Sequence, residues 1–329
     1  MRNVAIAAIM ASLMLPSAGA VAQDVSVPSD SKFFVHINID AFRRTELGGR
    51  LFEMARREAM KEVLGRNKHD DEDHEQNYEK MKETLGLDPF TELDAITIVG
   101  SDFKKAEKAL HVIFKLKQNA GNLEGLVAAL PDYSSAEYGQ HVVHSAAPDE
   151  GEDQRAFGAI HTDGKGVKRI VAAMQLNRVK KLLDMLDGKS SRESKAVRVS
   201  KDNSQFVHIE LLEIPREEIG KGPQANVAKM LQGVTINVGD DGENLNLSIT
   251  LKTEEDRQAK QIRQMVQGFT AMIQLAQDAS DEADEDMEKF QDILESLEIK
   301  RKKNTVQIRL SIPEDELVDL IEDQMELEL

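Results

Sequence analysis

Eight histidines and two acidic runs are the residues of this chain with the most chemistry to offer. His69 and His74 stand among Asp70, Asp71, Glu72, Asp73 and Glu75, a composition suited to a divalent cation, with His69, Asp71, Asp73 and His74 as the prospective ligands. The spacing is poor for a closed site, because five helical residues turn about 500° and leave the two imidazoles about 140° apart. A solvated acidic loop that attracts cations weakly is the plainer reading. The run from Asp278 to Asp286 offers a second set of oxygens, Asp281 and Asp284 among them. It lacks the glycine and the register of alternate ligands that a calcium loop needs.

His36 and His208 are a different case. Phe34-Val35-His36-Ile37 recurs as Phe206-Val207-His208-Ile209, each copy preceded within three residues by a serine. In a strand the two imidazoles would lie on the face opposite Val35 and Ile37, or Val207 and Ile209. They are expected in equivalent places, lining a ligand groove between two halves or standing as polar-face residues inherited from one ancestor. His141 and His144, three apart in a strand, should point to opposite faces and so cannot share an ion. No nucleophile elbow, phosphate-binding loop, dinucleotide fingerprint or zinc-protease helix is present in the sequence, which removes the commonest motif-bearing hydrolases and transferases.

The elements that must carry these residues are legible from periodicity. Phe33 to Asp40 alternates as a half-buried strand, and Thr45 to Leu64 follows as an amphipathic helix. Ala95 to Val99 and Ala109 to Lys117 read as a hairpin, and Asn177 to Leu186 as a helix capped by Gly188. In the second part, Val234, Ile236 and Val238 alternate up to Gly239-Asp240-Asp241-Gly242, and Leu245 to Leu251 alternates back. A long helix after Thr253 and a strand from Thr305 to Ile312 complete the order. Both halves give strand, helix, hairpin, helix, strands, helix. The expected fold is therefore α+β, a duplicated unit of antiparallel sheets with helices packed on one face. The expected division is a leader at residues 1–22, a first α+β domain at 23–189, a linker at 190–203 and a pseudo-repeat at 204–329.

The leader rests on Arg2, an apolar run from Val4 to Leu15, Pro16, and small residues at Ala18, Ala20 and Ala22. This order predicts a secretory signal peptide cut before Gln23, with a run too short to cross a bilayer. The chain has no cysteine, so no disulfide, thiolate metal site or acylated anchor can form. Its formal charge is −17, and one unit more negative without Arg2. Such a surface repels nucleic acid and anionic headgroups, and no later run is long enough for a transmembrane segment.

Leu87-Asp88-Pro89-Phe90 followed by Leu93-Asp94-Ala95-Ile96-Thr97, the Tyr133 to His144 segment, and the ending Leu183-Asp184-Met185-Leu186-Asp187-Gly188-Lys189 resemble a group of exported bacterial proteins without assigned activity. The resemblance implies a compartment and a non-enzymatic default, and it transfers no site. Together these readings predict a periplasmic or secreted, non-catalytic binding or envelope-associated protein, with an envelope protein or small ligand as partner and no cofactor. The alternatives are a hydrolase-like enzyme without a recognisable motif and a divalent-cation-binding protein.

Overall fold

The computed structural model describes residues 22–63, 88–104, 106–117, 132–147, 155–189, 194–200, 204–216, 223–278 and 295–317, with 82, 123, 127, 128 and 219 between them. Residues 1–21 of the expected leader, the prospective ligands His69, Asp71, Asp73 and His74, and the pair Asp281 and Asp284 lie outside the described residues.

The chain opens with strands β1 (Ala22–Pro28) and β2 (Phe33–Asn38) and the short helix α1 (Ile39–Phe42). Asn38 caps α1 by accepting a hydrogen bond from Ala41 N. Helix α2 (Glu46–Val63) starts where Thr45 Oγ1 accepts from Gly48 N. The buried Glu314 carboxylate accepts from Leu47 N at 2.7 Å, so an anion from the far end of the chain closes the first turn of α2. Helix α3 (Pro89–Glu92) uses proline at its first position and Asp88 as its cap. Then come β3 (Leu93–Gly100), α4 (Ala106–Ala109), β4 (Leu110–Leu116), β5 (Ser134–Tyr138), β6 (His141–Ala146), β7 (Ala156–Thr162), β8 (Lys168–Ala173) and α5 (Leu176–Leu186). The remainder is β9 (Ser194–Ser200), β10 (Gln205–Leu211), α6 (Pro223–Met230), β11 (Leu231–Asp240), β12 (Asn244–Thr253), α7 (Asp256–Asp278), β13 (Glu298–Lys302) and β14 (Thr305–Pro313).

Twelve strands form one antiparallel sheet in the order β13-β14-β12-β11-β10-β2-β3-β4-β8-β7-β6-β5, while β1 and β9 make a separate two-stranded ribbon. The fold is α+β, as the periodicity predicts. The expected hairpins are β3–β4 and β11–β12. Strands from the two parts of the chain meet at the centre, where β2 pairs with β10. The stretch expected to be a linker holds β9, whose Val197 and Val199 are buried with Val27, Phe34 and Val99 beneath the ribbon.

The register places Asn237, His208, His36, Thr97 and Ile113 in one row across β11, β10, β2, β3 and β4. Strand alternation puts Ile113 on the face that packs on α5 through Val179, Leu182 and Leu183. The opposite face, carrying Val234, Leu251 and Ile308, packs on α7 through Ala259 and Ile262. Each end of the sheet thus has a helix on one face, and the two faces are opposite ones. The ribbon shares the face of α5.

Strand β10 begins against a close backbone approach. A Cβ on Gly239 would lie 2.2 Å from the Ser204 carbonyl oxygen, and Asp240 N donates to that same oxygen. Only glycine fits without moving a main chain. Gly239→Ala should lower the unfolding free energy by about 1–3 kcal/mol in a urea titration. A value indistinguishable from wild type would show that the strand can shift freely here.

Candidate functional site

Six of the eight histidines fall on described strands, and five of those are buried: His111, His141, His144, His161 and His208. The sheet brings His36 and His208 together as direct cross-strand partners. Each is tied by Nδ1 to the strand on its other side, His36 to Thr97 Oγ1 at 2.9 Å and His208 to Asn237 Oδ1 at 2.7 Å. Phe34 packs beside both rings. Burial, reinforced by repulsion of a protonated His36 from His208 and Lys115, pushes His36 down to about 4, so it is a neutral hydrogen-bonding group at neutral pH. Thr97 is buried, and His36 is partly buried beside it.

His141 and His144 do point to opposite faces, as alternation requires. His144 Nδ1 meets the Tyr133 hydroxyl at 3.0 Å, while His141 Nε2 donates to the Asp187 carboxylate at 2.9 Å. His161, on the adjoining strand β7, brings its Nε2 to within 3.3 Å of the same carboxylate. Asp187 is the C-terminal cap residue of α5, followed by Gly188 in the left-handed conformation at φ +73. A carboxylate at a helix C-terminus faces the negative end of the dipole. Burial pushes its pKa up further, yet hydrogen bonds from Lys189 and His141 outweigh both and hold it at about 2. Burial and the Arg169 charge keep His161 below the ordinary histidine range. Tyr138 OH donates to Asp184 one turn earlier. The cluster is a charged latch that fixes the end of α5 to strands β6 and β7. Among the described residues, no group of three or more histidine, aspartate or glutamate side chains is arranged to hold a metal ion.

A concave feature lies elsewhere. A cleft of about 640 Å³ opens where the start of β2, the end of β10, the start of β11 and the end of β12 converge. Its floor is Phe103, Leu212, Ile214 and Leu231, and its charged lining is Lys32, Arg216, Lys252 and Glu213. Lys32 pairs with Glu213 at 3.1 Å, and among the described residues Arg216 and Lys252 have no ion pair. The cleft therefore carries a local positive excess in a chain of net charge −17. Neither His36 nor His208 lines it. Its residues come from strands β11 and β12 and from the segments that precede β2 and follow β3 and β10, so only their later convergence marks them out.

No family model matches the chain, and no curated protein matches it. Among solved structures it is similar to TP0453, a Treponema protein, at 8% identity in each of three crystal forms. The match to form I covers 90% of this chain and 96% of that one with a TM-score of 0.38. Forms III and IV align over 90% of this chain and 97% of the other, with TM-scores of 0.39 and 0.43.

Proposed function

We propose that this is an exported, non-catalytic binding protein of the cell envelope, and that its cleft takes a small organic anion with an apolar body. The observation that carries the reading is the cleft itself. Its volume of about 640 Å³ falls within the usual range of roughly 300–1,000 Å³ for small-molecule sites. Phe103, Leu212, Ile214 and Leu231 offer apolar contact, and Arg216 and Lys252 offer charge that no carboxylate of the described chain neutralises. A carboxylate or phosphate head is the complementary group. The same positive lining disfavours a divalent cation as occupant.

Export is supported by the leader sequence. No helix of the described residues is long and apolar enough to cross a membrane. A duplicated ancestry also fits the register. His36 faces its own counterpart, and the offset that carries Val35 to Val207 also carries the pair Val35–Ile209 onto Ile37–Val207. Strand order β2-β3-β4-β8-β7 on one side of that pair corresponds to β10-β11-β12-β14-β13 on the other.

The test is calorimetric titration with decanoate and decyl phosphate, beside decanol and decyltrimethylammonium. Binding of the two anions and neither control is expected, with affinity reduced about tenfold to a hundredfold in Arg216→Glu/Lys252→Glu. Preference for the cation, or anion binding untouched by the double substitution, would remove the cleft as the site.

A further inference from the structure

The chain has five exposed large hydrophobic residues among those described, and four of them are on α7: Met265 at 43%, Phe269 at 60%, Met272 at 62% and Leu275 at 68%. They are not the core stripe of that helix. Ala259 and Ile262, at 0% and 1%, seat α7 on the sheet, and Val266 packs with them. Met265, Phe269 and Met272 follow one another at intervals of four and three residues, the spacing at which one helix meets another along a seam.

Two further observations concern what covers that seam. Gly268 stands in the middle of α7, and a Cβ placed on it would meet nothing within 4 Å. Glycine inside a helix costs about 1 kcal/mol relative to alanine, and no contact with the described residues requires it here. A close-approaching helix backbone would require it. The second observation is charge. From Gln264 to Gln277 α7 has no charged residue, although 31% of the whole chain is charged. Within α7, Asp256, Arg257, Lys260 and Arg263 stand before this run, Asp256 in an ion pair with Arg301, and Asp278 follows it.

We infer that the exposed seam of α7 is covered by α7 of a second copy of this chain, the two helices running antiparallel. Phe269 of one copy faces Met272 of the other, and Met272 faces Phe269, as a two-fold contact demands. Antiparallel pairing centred between Phe269 and Met272 sets the net positive start of each helix beside Asp278 at the end of its partner. Parallel pairing would set like charges together. A chain so acidic is poorly suited to lay the same seam on anionic lipid.

Sedimentation velocity of the protein without its leader should show a mass twice that of the monomer at tens of micromolar. Phe269→Glu/Met272→Glu should weaken the association about thirtyfold or more while leaving the thermal unfolding midpoint of the diluted monomer unchanged, since both side chains are exposed. The absence of cysteine permits a second arm. Under oxidation Phe269→Cys should cross-link to itself, whereas Lys260→Cys, displaced from its own copy in an antiparallel pair, should not. A monomer at every concentration, a dimer that survives the double substitution, or cross-linking of Lys260→Cys would each overturn the inference. So would a monomer whose binding to phosphatidylcholine vesicles is abolished by the double substitution, because the seam would then serve lipid.

Discussion

Asp187→Ala is expected to lower the unfolding free energy by about 3–5 kcal/mol at neutral pH, the usual penalty for removing one partner of a buried charged network. The side chain of Asp187 is 5% exposed and accepts from His141, His161, Lys189 and Gln140. Alanine would leave the His141 and His161 Nε2–H groups buried without an acceptor, and Lys189 without its ion pair. Asp187→Asn tests the charge separately, because its carbonyl oxygen can still receive one imidazole. It should fall between wild type and alanine. Urea denaturation followed by circular dichroism measures all three; a loss below about 1 kcal/mol for the alanine variant would show that the latch is ornamental to stability. The damage should also be local at first. Amide exchange in α5 and in strands β6 and β7 should accelerate before exchange in β11 and β12 does.

The second large effect is acid lability beginning well above the carboxylate range. His36 is held near 4, against 6.5 in an unfolded chain, and His111 and His161 are also pushed down, each by burial first. Between pH 6.5 and 4 the unfolded chain therefore binds protons that the native state refuses, and stability falls as pH falls. Above 6.5 this contribution is flat. The His36 shift alone is worth on the order of 3 kcal/mol by pH 4. His208 and Lys115 oppose protonation of His36, and Asp94 favours it. Asp187 acts in the same direction but at lower pH. Its contribution persists until pH drops below about 4 and disappears toward 2, so it cannot produce the earlier decline. Unfolding free energies at pH 7, 5.5 and 4.5 should give a shallower slope for His36→Gln than for wild type. Identical slopes would assign the decline to other groups.

How much of this was readable beforehand depends on the range of the interaction. The β11–β12 hairpin was visible because its alternation and its Gly-Asp-Asp-Gly turn lie within twenty residues, and Gly188 marked the end of α5 for the same local reason. Strand β9 offered only Val197 and Val199 as a pattern, and its partner β1 lies far back in the chain beside the expected leader. A run so short reads as polar connection until the pairing is known. The opposite facing of His141 and His144 followed from alternation, but the Asp187 latch did not. The sequence did contain a usable signal, since His141 alternates with Val143 and His161 with Ala159 on one core face. Nothing local stated that α5 would return its cap residue to those strands. The cleft was hidden for a further reason: Lys32, Arg216 and Lys252 are unremarkable surface cations until β2, β10 and β12 are laid side by side.

The pairing of β2 with β10, and of β1 with β9, has a kinetic consequence. Each joins strands separated by well over a hundred residues, so both close large loops whose entropy must be overcome before any contact rewards it. The chain's N-terminal strands have no antiparallel neighbour on that side until β10 has been made available. Folding is thus set to finish at the middle of the sheet, with the two flanking hairpin systems formed early and the seam between them formed last.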